Sequence, residues 1–143
     1  MLISALLDTK SDKVATIPGH ASVAEAVAEL ARHRIGALVV SSDGAHIDGI
    51  VSERDVVRRL HELQGKLLEE PVSSIMSASV TTCSPEDEVE SLMSIMTERR
   101  IRHVPVVVGG VLCGIVSIGD VVKSRIGELE KNTAELFDYI NAR

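Results

Sequence analysis

A chain of 143 residues, 45% of them hydrophobic, is long enough for one domain or two small, tightly packed ones with a real core. That core must be aliphatic: one Phe, one Tyr and no Trp leave no row of aromatic platforms for stacking single-stranded nucleic acid. A net charge of −6 argues against unspecific binding to a phosphate backbone, and two cysteines without C-x-x-C spacing supply neither a disulfide framework nor a zinc site.

Leu2, Ile3, Leu6 and Leu7 predict a short helix docked on the body. A short extended piece over 14–17 comes next. A helix over 22–34 follows, opened by a capping box of Ser22 and Glu25 and striped by Val23, Ala26, Val27 and Leu30. An apolar strand over 37–40, a turn at Asp43 and Gly44, a strand over 47–51 and a helix opening near Ser52 complete the first half. Residues 65–77 read as a linker.

The second half repeats the pattern. An extended piece over 80–83 precedes a helix over 85–100, with Ser84 as cap and Pro85 in the first turn. Val89, Leu92, Met93 and Met96 form its apolar face. A strand over 104–108, a turn at Gly109 and Gly110, a strand over 111–116 and a helix from near Ser117 follow. Beyond Lys131 the tail is amphipathic, through Leu136, Phe137 and Ile140, and reads either as packing on a partner subunit or as a frayed terminal helix. With no apolar run of about 18 residues and no signal-peptide pattern, no membrane is expected and the cytoplasm is the expected compartment.

The order β-α-β-β-α therefore occurs twice. Val23 and Val89 stand 66 residues apart, as do Ile35 and Ile101, whereas the two GIVS runs, at Gly49 and Gly114, stand 65 apart. The slip of one falls in a loop, where insertions are tolerated. The expected fold is mixed α+β, with two repeats at 8–64 and 72–130 packed sheet to sheet about a pseudo-twofold axis. A helical tail at 131–143 follows. A cleft between related halves is a natural place for a small ligand.

The runs GIVSERD and GIVSIGD place Ser52 three residues before Asp55 and Ser117 three before Asp120. Capping boxes alone account for both pairs. The same geometry is also competent for a nucleoside phosphate. A helix N-terminus offers free N–H groups to phosphate, and a carboxylate there can accept both hydroxyls of a ribose. The chain has no Walker or G-x-G-x-x-G loop, so a nucleotide site here is of another type.

Two β-α-β-β-α repeats, each with G-I-V-S-x-x-D opening its last helix, resemble a tandem pair of cystathionine-β-synthase (CBS) domains, a Bateman module, over roughly 8–130. The second repeat carries the likeness most fully, in Ser84-Pro85-Glu86-Asp87 and in Arg99-Arg100-Ile101-Arg102-His103-Val104-Pro105-Val106. The resemblance implies a non-catalytic regulatory module. It would bind an adenosine-containing ligand such as AMP, ADP, ATP, NAD(H) or S-adenosylmethionine, need no cofactor, form a homodimer and signal to a separate effector protein. It implies that Asp55 and Asp120 hold ribose hydroxyls and that Ser52 and Ser117 contact ribose or phosphate. It implies further that Thr16 and Thr82 line the pockets. Gly36, Ala37 and Leu38 in the first repeat, and Arg102, His103 and Val104 in the second, would flank base and phosphates. Arg102 stands where the first repeat has Gly36, so the Asp120 site is expected to bind phosphate better. Arg54, beside Asp55, stands where the second repeat has Gly119, which makes the sites unequal again.

No nucleophile or acid–base set converges on one point, so catalysis is not expected. His20, His33, His46, His61 and His103 lack ligand spacing and read as scattered surface residues. Cys83, ahead of a helix, is placed for a lowered thiol pKa, and Cys113 reads as a small hydrophobe in a buried strand. The competing reading is a structural dimer whose GIVS motifs only cap helices.

Overall fold

The computed structural model describes residues 1–10 and 13–142. In the first repeat β1 (Thr16–Ile17) runs parallel to β2 (Ala37–Val40), which pairs antiparallel with β3 (Gly49–Ser52). In the second, β4 (His103–Val108) and β5 (Val111–Ser117) form an antiparallel pair. Its expected first strand is reduced to Cys83, which bridges Val106 in parallel. The helices are α1 (Ile3–Asp8), α2 (Val23–His33), α3 (Glu53–Leu63), α4 (Val89–Arg99) and α5 (Ile118–Asn141). The fold is mixed α+β, as the sequence implied.

The internal repeat holds to the residue. α2 and α4 cover equivalent positions and end on Arg34 and Arg100, both left-handed at φ 54°. Ile35 N–H returns to the Leu30 carbonyl, and Ile101 N–H to that of Met96. This is the usual chemistry of a helix C-terminus, with arginine where glycine is commoner.

One expected helix start is corrected. α4 begins at Val89, not at Pro85, and its first-turn cap is Glu88, which makes no side-chain bond. Residues 84–87 form a turn instead: Ser84 N–H donates to the Asp87 carboxylate and Asp87 N–H to the Ser84 carbonyl. The Pro85 and Asp87 carbonyls are engaged by Ser4 and Ile3 N–H, each at 2.9 Å, so they are lost to a helix. Pro18–Ala21 behave alike. Ser73 N–H reaches the Gly19 carbonyl at 3.0 Å and Val72 N–H that of Ala21 at 2.8 Å.

These bonds reveal a crossed arrangement. The segment that leads into the second repeat, around Val72, straps the first. The segment ahead of the first repeat, α1, straps the second. Leu67, Val72 and Ile75 complete the first core with Val23, Leu30 and Leu38, while Ile3 and Leu6 complete the second with Leu92, Met96 and Val104. The straps explain why each GIVS run starts with glycine. A Cβ on Gly49 would lie 2.6 Å from the Met76 sulfur, and one on Gly114 would lie 2.8 Å from Leu7 Cδ2.

The sheets meet on their second faces. Ala37 and Val39 point away from the first core by strand alternation, yet both are buried. His103 of β4 packs on Gly36 just ahead of β2, where a Cβ would come within 3.1 Å of its ring. The tail forms no separate element: α5 runs unbroken for 24 residues, and Arg143 lies outside the described residues.

Candidate functional site

Each GIVS serine is the last residue of a strand and the cap of a helix. Ser52 and Ser117 side chains accept from the N–H of Asp55 and Asp120. The carboxylates return the bond through Oδ2, to Ser52 N at 2.8 Å and Ser117 N at 2.9 Å. Glu53 N–H donates to the Gly36 carbonyl and Ile118 N–H to that of Arg102, so the first turn of each helix is pinned to the start of the neighbouring strand. The capping reading is thus met at both motifs. It uses one carboxylate oxygen of each aspartate. Oδ1 of Asp55 and of Asp120 has no hydrogen bond within the described residues, leaving an acceptor at each helix mouth.

Asp120 lines a cleft of about 810 Å³. Ser117 and Asp120 form one wall, Arg34, Gly36 and Ala37 of the first repeat the other, and His103 lies between. The site is therefore built across the pseudo-twofold, and the structure groups the candidates differently from their order in the chain. Gly36 and Ala37, whose backbone adjoins Glu53 and Ser52, line the cleft of Asp120. Arg102 is exposed and does not line this cleft, although its carbonyl accepts from Ile118 N–H beside it. Leu38 and Val104 are fully buried in the two cores, so their side chains are turned from any ligand. Thr16 lines a separate shallow depression with His20 and Glu25. Thr82 is exposed and lines neither hollow.

Ser52 and Asp55 do not line the Asp120 cleft. Next to them the outer edge of β3 is covered: Ile50 and Ser77 exchange both backbone bonds at 2.9 Å. The matching edge of β5 is covered differently. There Lys10 Nζ donates to the Ile115 carbonyl at 2.8 Å and to Asp120 Oδ2 at 2.7 Å. Sequence reasoning missed Lys10. It lies at the very start of the first repeat, 110 positions from Asp120, and only the crossing of the straps brings it there. The cation bonded to Asp120 is thus Lys10, where the expectation had set Arg102 near the same aspartate.

Electrostatics follow from this packing. Partial burial opposes ionisation of Asp120, but the Lys10 ammonium and the Ser117 amide outweigh it and hold its pKa below the ordinary carboxylate value. Burial pushes the His103 imidazole below its usual value despite the Glu53 and Asp120 carboxylates nearby, so the ring is neutral at pH 7. A carboxylate with a depressed pKa stabilises the fold above its unfolded value of about 3.9 and loses that contribution as pH falls through the folded value. The stability difference between the wild type and Lys10→Gln should therefore be full at neutral pH and shrink below about pH 4. Urea melts at stepped pH check this.

The cysteine expectations are corrected. Burial, with the Asp87 carboxylate, pushes the Cys83 thiol up to about 12, and the helix it was to precede starts six residues later, so no activated thiol stands there. Cys113 is exposed and borders the Asp120 cleft, because β5 turns that face outward.

No helix among the described residues is long and apolar enough to cross a membrane. The chain matches the family model of the CBS domain twice, over residues 7–62 and 72–127. It is similar to the crystal structure of a CBS-domain containing protein from Agrobacterium tumefaciens, with 42% identity, a TM-score of 0.83 and coverage of 87% of this chain and 92% of that one. A CBS domain protein from Pyrobaculum aerophilum complexed with AMP is 30% identical at a TM-score of 0.79, covering 93% and 99%. The CBS domain pair of the protein MJ0100, in complex with 5′-methylthioadenosine and S-adenosyl-L-methionine, is 26% identical at a TM-score of 0.78, covering 90% and 98%. Among curated relatives, the CBS domain-containing protein CBSX3, mitochondrial, of Arabidopsis thaliana is 37% identical over 83% of this chain, which spans 60% of its length. By its two matched domains, its fold and its paired GIVS motifs, this chain belongs to the CBS-domain family.

Proposed function

We propose that the protein is a non-catalytic sensor that binds an adenosine-containing nucleotide in the Asp120 cleft and passes its occupancy to a separate protein in the cytoplasm. One observation carries the reading: an ionised carboxylate with a spare oxygen stands at a helix mouth, in a cleft between two repeats large enough for a nucleotide. Asp120 takes the ribose hydroxyls, Ser117 and the first-turn amides lie beside the 5′ side, and Gly36 and Ala37 leave room for the base. AMP in one relative and S-adenosylmethionine in another support an adenosine ligand. Asp55 and Ser52, which repeat the same capping geometry, are a second site of lower occupancy. Calorimetric titration with AMP, ADP, ATP, NAD and S-adenosylmethionine tests the reading. Saturable binding with no turnover is expected; heat-silent titrations throughout, or nucleotide hydrolysis, would refute it.

The same reading includes a homodimer. On α5, Val122, Ile126, Leu129, Leu136 and Ile140 follow alternating steps of four and three residues with Thr133 in the series, and each of the five is about half exposed. That is a coiled-coil seam, and Val57 and Leu60 of α3 add to the apolar surface. Sedimentation equilibrium should give twice the chain mass. A monomer at micromolar concentration would leave the seam to the effector.

A further inference from the structure

We propose that Lys10 sets the charge of the ligand that the Asp120 cleft admits, selecting a ribonucleotide that carries phosphate over a neutral or cationic adenosine compound. The inference rests on the ribose reading of Asp120 and goes one step past it. In the free protein Lys10 Nζ bonds Asp120 Oδ2 at 2.7 Å and the Ile115 carbonyl at 2.8 Å. The two side chains are only 29% and 25% exposed, so water solvates neither charge fully once they part. Oδ1 of Asp120 is free for one ribose hydroxyl, and the second hydroxyl then competes with Lys10 for Oδ2 and displaces its hydrogen bond. An uncharged 5′ group leaves the ammonium with a carbonyl alone, and a cationic group adds repulsion. A 5′-phosphate supplies an anion in exchange, so both halves of the broken pair end satisfied.

The surroundings reinforce the exchange. Lys13 and Arg34 line the same cleft, and neither has a carboxylate partner among the described residues. Arg32 and His33 also line it and share Glu29. Asp120 is the one carboxylate among the described lining residues, in a chain whose net charge is −6. The device is one-sided. The strap over β3 reaches Ile50 through the Ser77 backbone, and Asp55 has no lysine partner among the described residues.

The test compares ADP, 5′-methylthioadenosine and S-adenosylmethionine on the wild type, Lys10→Gln and Lys10→Arg, by calorimetry at fixed ionic strength. The wild type should prefer ADP to 5′-methylthioadenosine by roughly ten- to a hundredfold, the worth of a charge-assisted bond. Lys10→Gln should weaken ADP by about tenfold and tighten the other two, since no lysine competes for Asp120. Lys10→Arg should keep most of the preference. If Lys10→Gln binds all three with unchanged ratios, the selection by Lys10 is wrong while the ribose reading stands. If no compound binds the wild type, both fall.

Discussion

Asp120→Ala should weaken nucleotide binding by about two orders of magnitude while leaving the protein folded. A hydrogen bond to a charged acceptor is worth about 1.5–3 kcal/mol, and a ribose offers two hydroxyls to one carboxylate. Losing both exceeds a factor of about a hundred. The structural cost is smaller. Ser117 still accepts from the N–H at position 120, so only the returning half of the capping box is lost, with the Lys10 pair. Loss of a cap costs about 1 kcal/mol. Asp55→Ala is the matched control. It deletes the same half-box at the equivalent helix, but Asp55 does not line the Asp120 cleft. Calorimetry on the two variants separates ligand from cap: a large loss for Asp120→Ala and a small one for Asp55→Ala. Equal small losses would mean that the motif aspartates only cap helices.

Ile3→Ala should be among the most damaging single changes, although Ile3 lies more than eighty positions ahead of α4, the helix whose core it completes. Its side chain is fully buried in the second core, and its N–H holds the Asp87 carbonyl. Truncating a buried isoleucine to alanine costs about 2–5 kcal/mol. For a chain of this size that lowers Tm by roughly 10 °C. Val72, the counterpart in the first repeat, is equally buried, and Val72→Ala should cost somewhat less because valine is smaller. Urea denaturation measures both. A loss below about 1 kcal/mol for Ile3→Ala would show that α1 rests on the second repeat without completing its core.

The repeat was legible because its signals are local. Ser22 with Glu25, Ser52 with Asp55 and Ser117 with Asp120 sit three apart, and each pair forms the capping box that spacing implies. The apolar run from Ala37 to Val40 is a strand at the positions its composition indicated. Ser84-Pro85 misled because its local preference for a helix start lost to a tertiary demand: the Pro85 and Asp87 carbonyls are spent on the α1 strap. The site was half legible. The motif marks Asp120 and Ser117 unaided, but nothing in linear order says that Gly36 rather than Arg102 shares their cleft. That follows from the pseudo-twofold packing of one sheet on the other. Lys10 was beyond reach for the same reason, since its partner is set by which repeat α1 chooses to cover.

The most direct test is a crystal structure of the protein with ADP. The account predicts the nucleotide in the Asp120 cleft, both ribose hydroxyls on the Asp120 carboxylate and Lys10 Nζ moved from Oδ2 to a phosphate oxygen. ADP bound elsewhere, or bound with the Lys10–Asp120 pair intact, would contradict it.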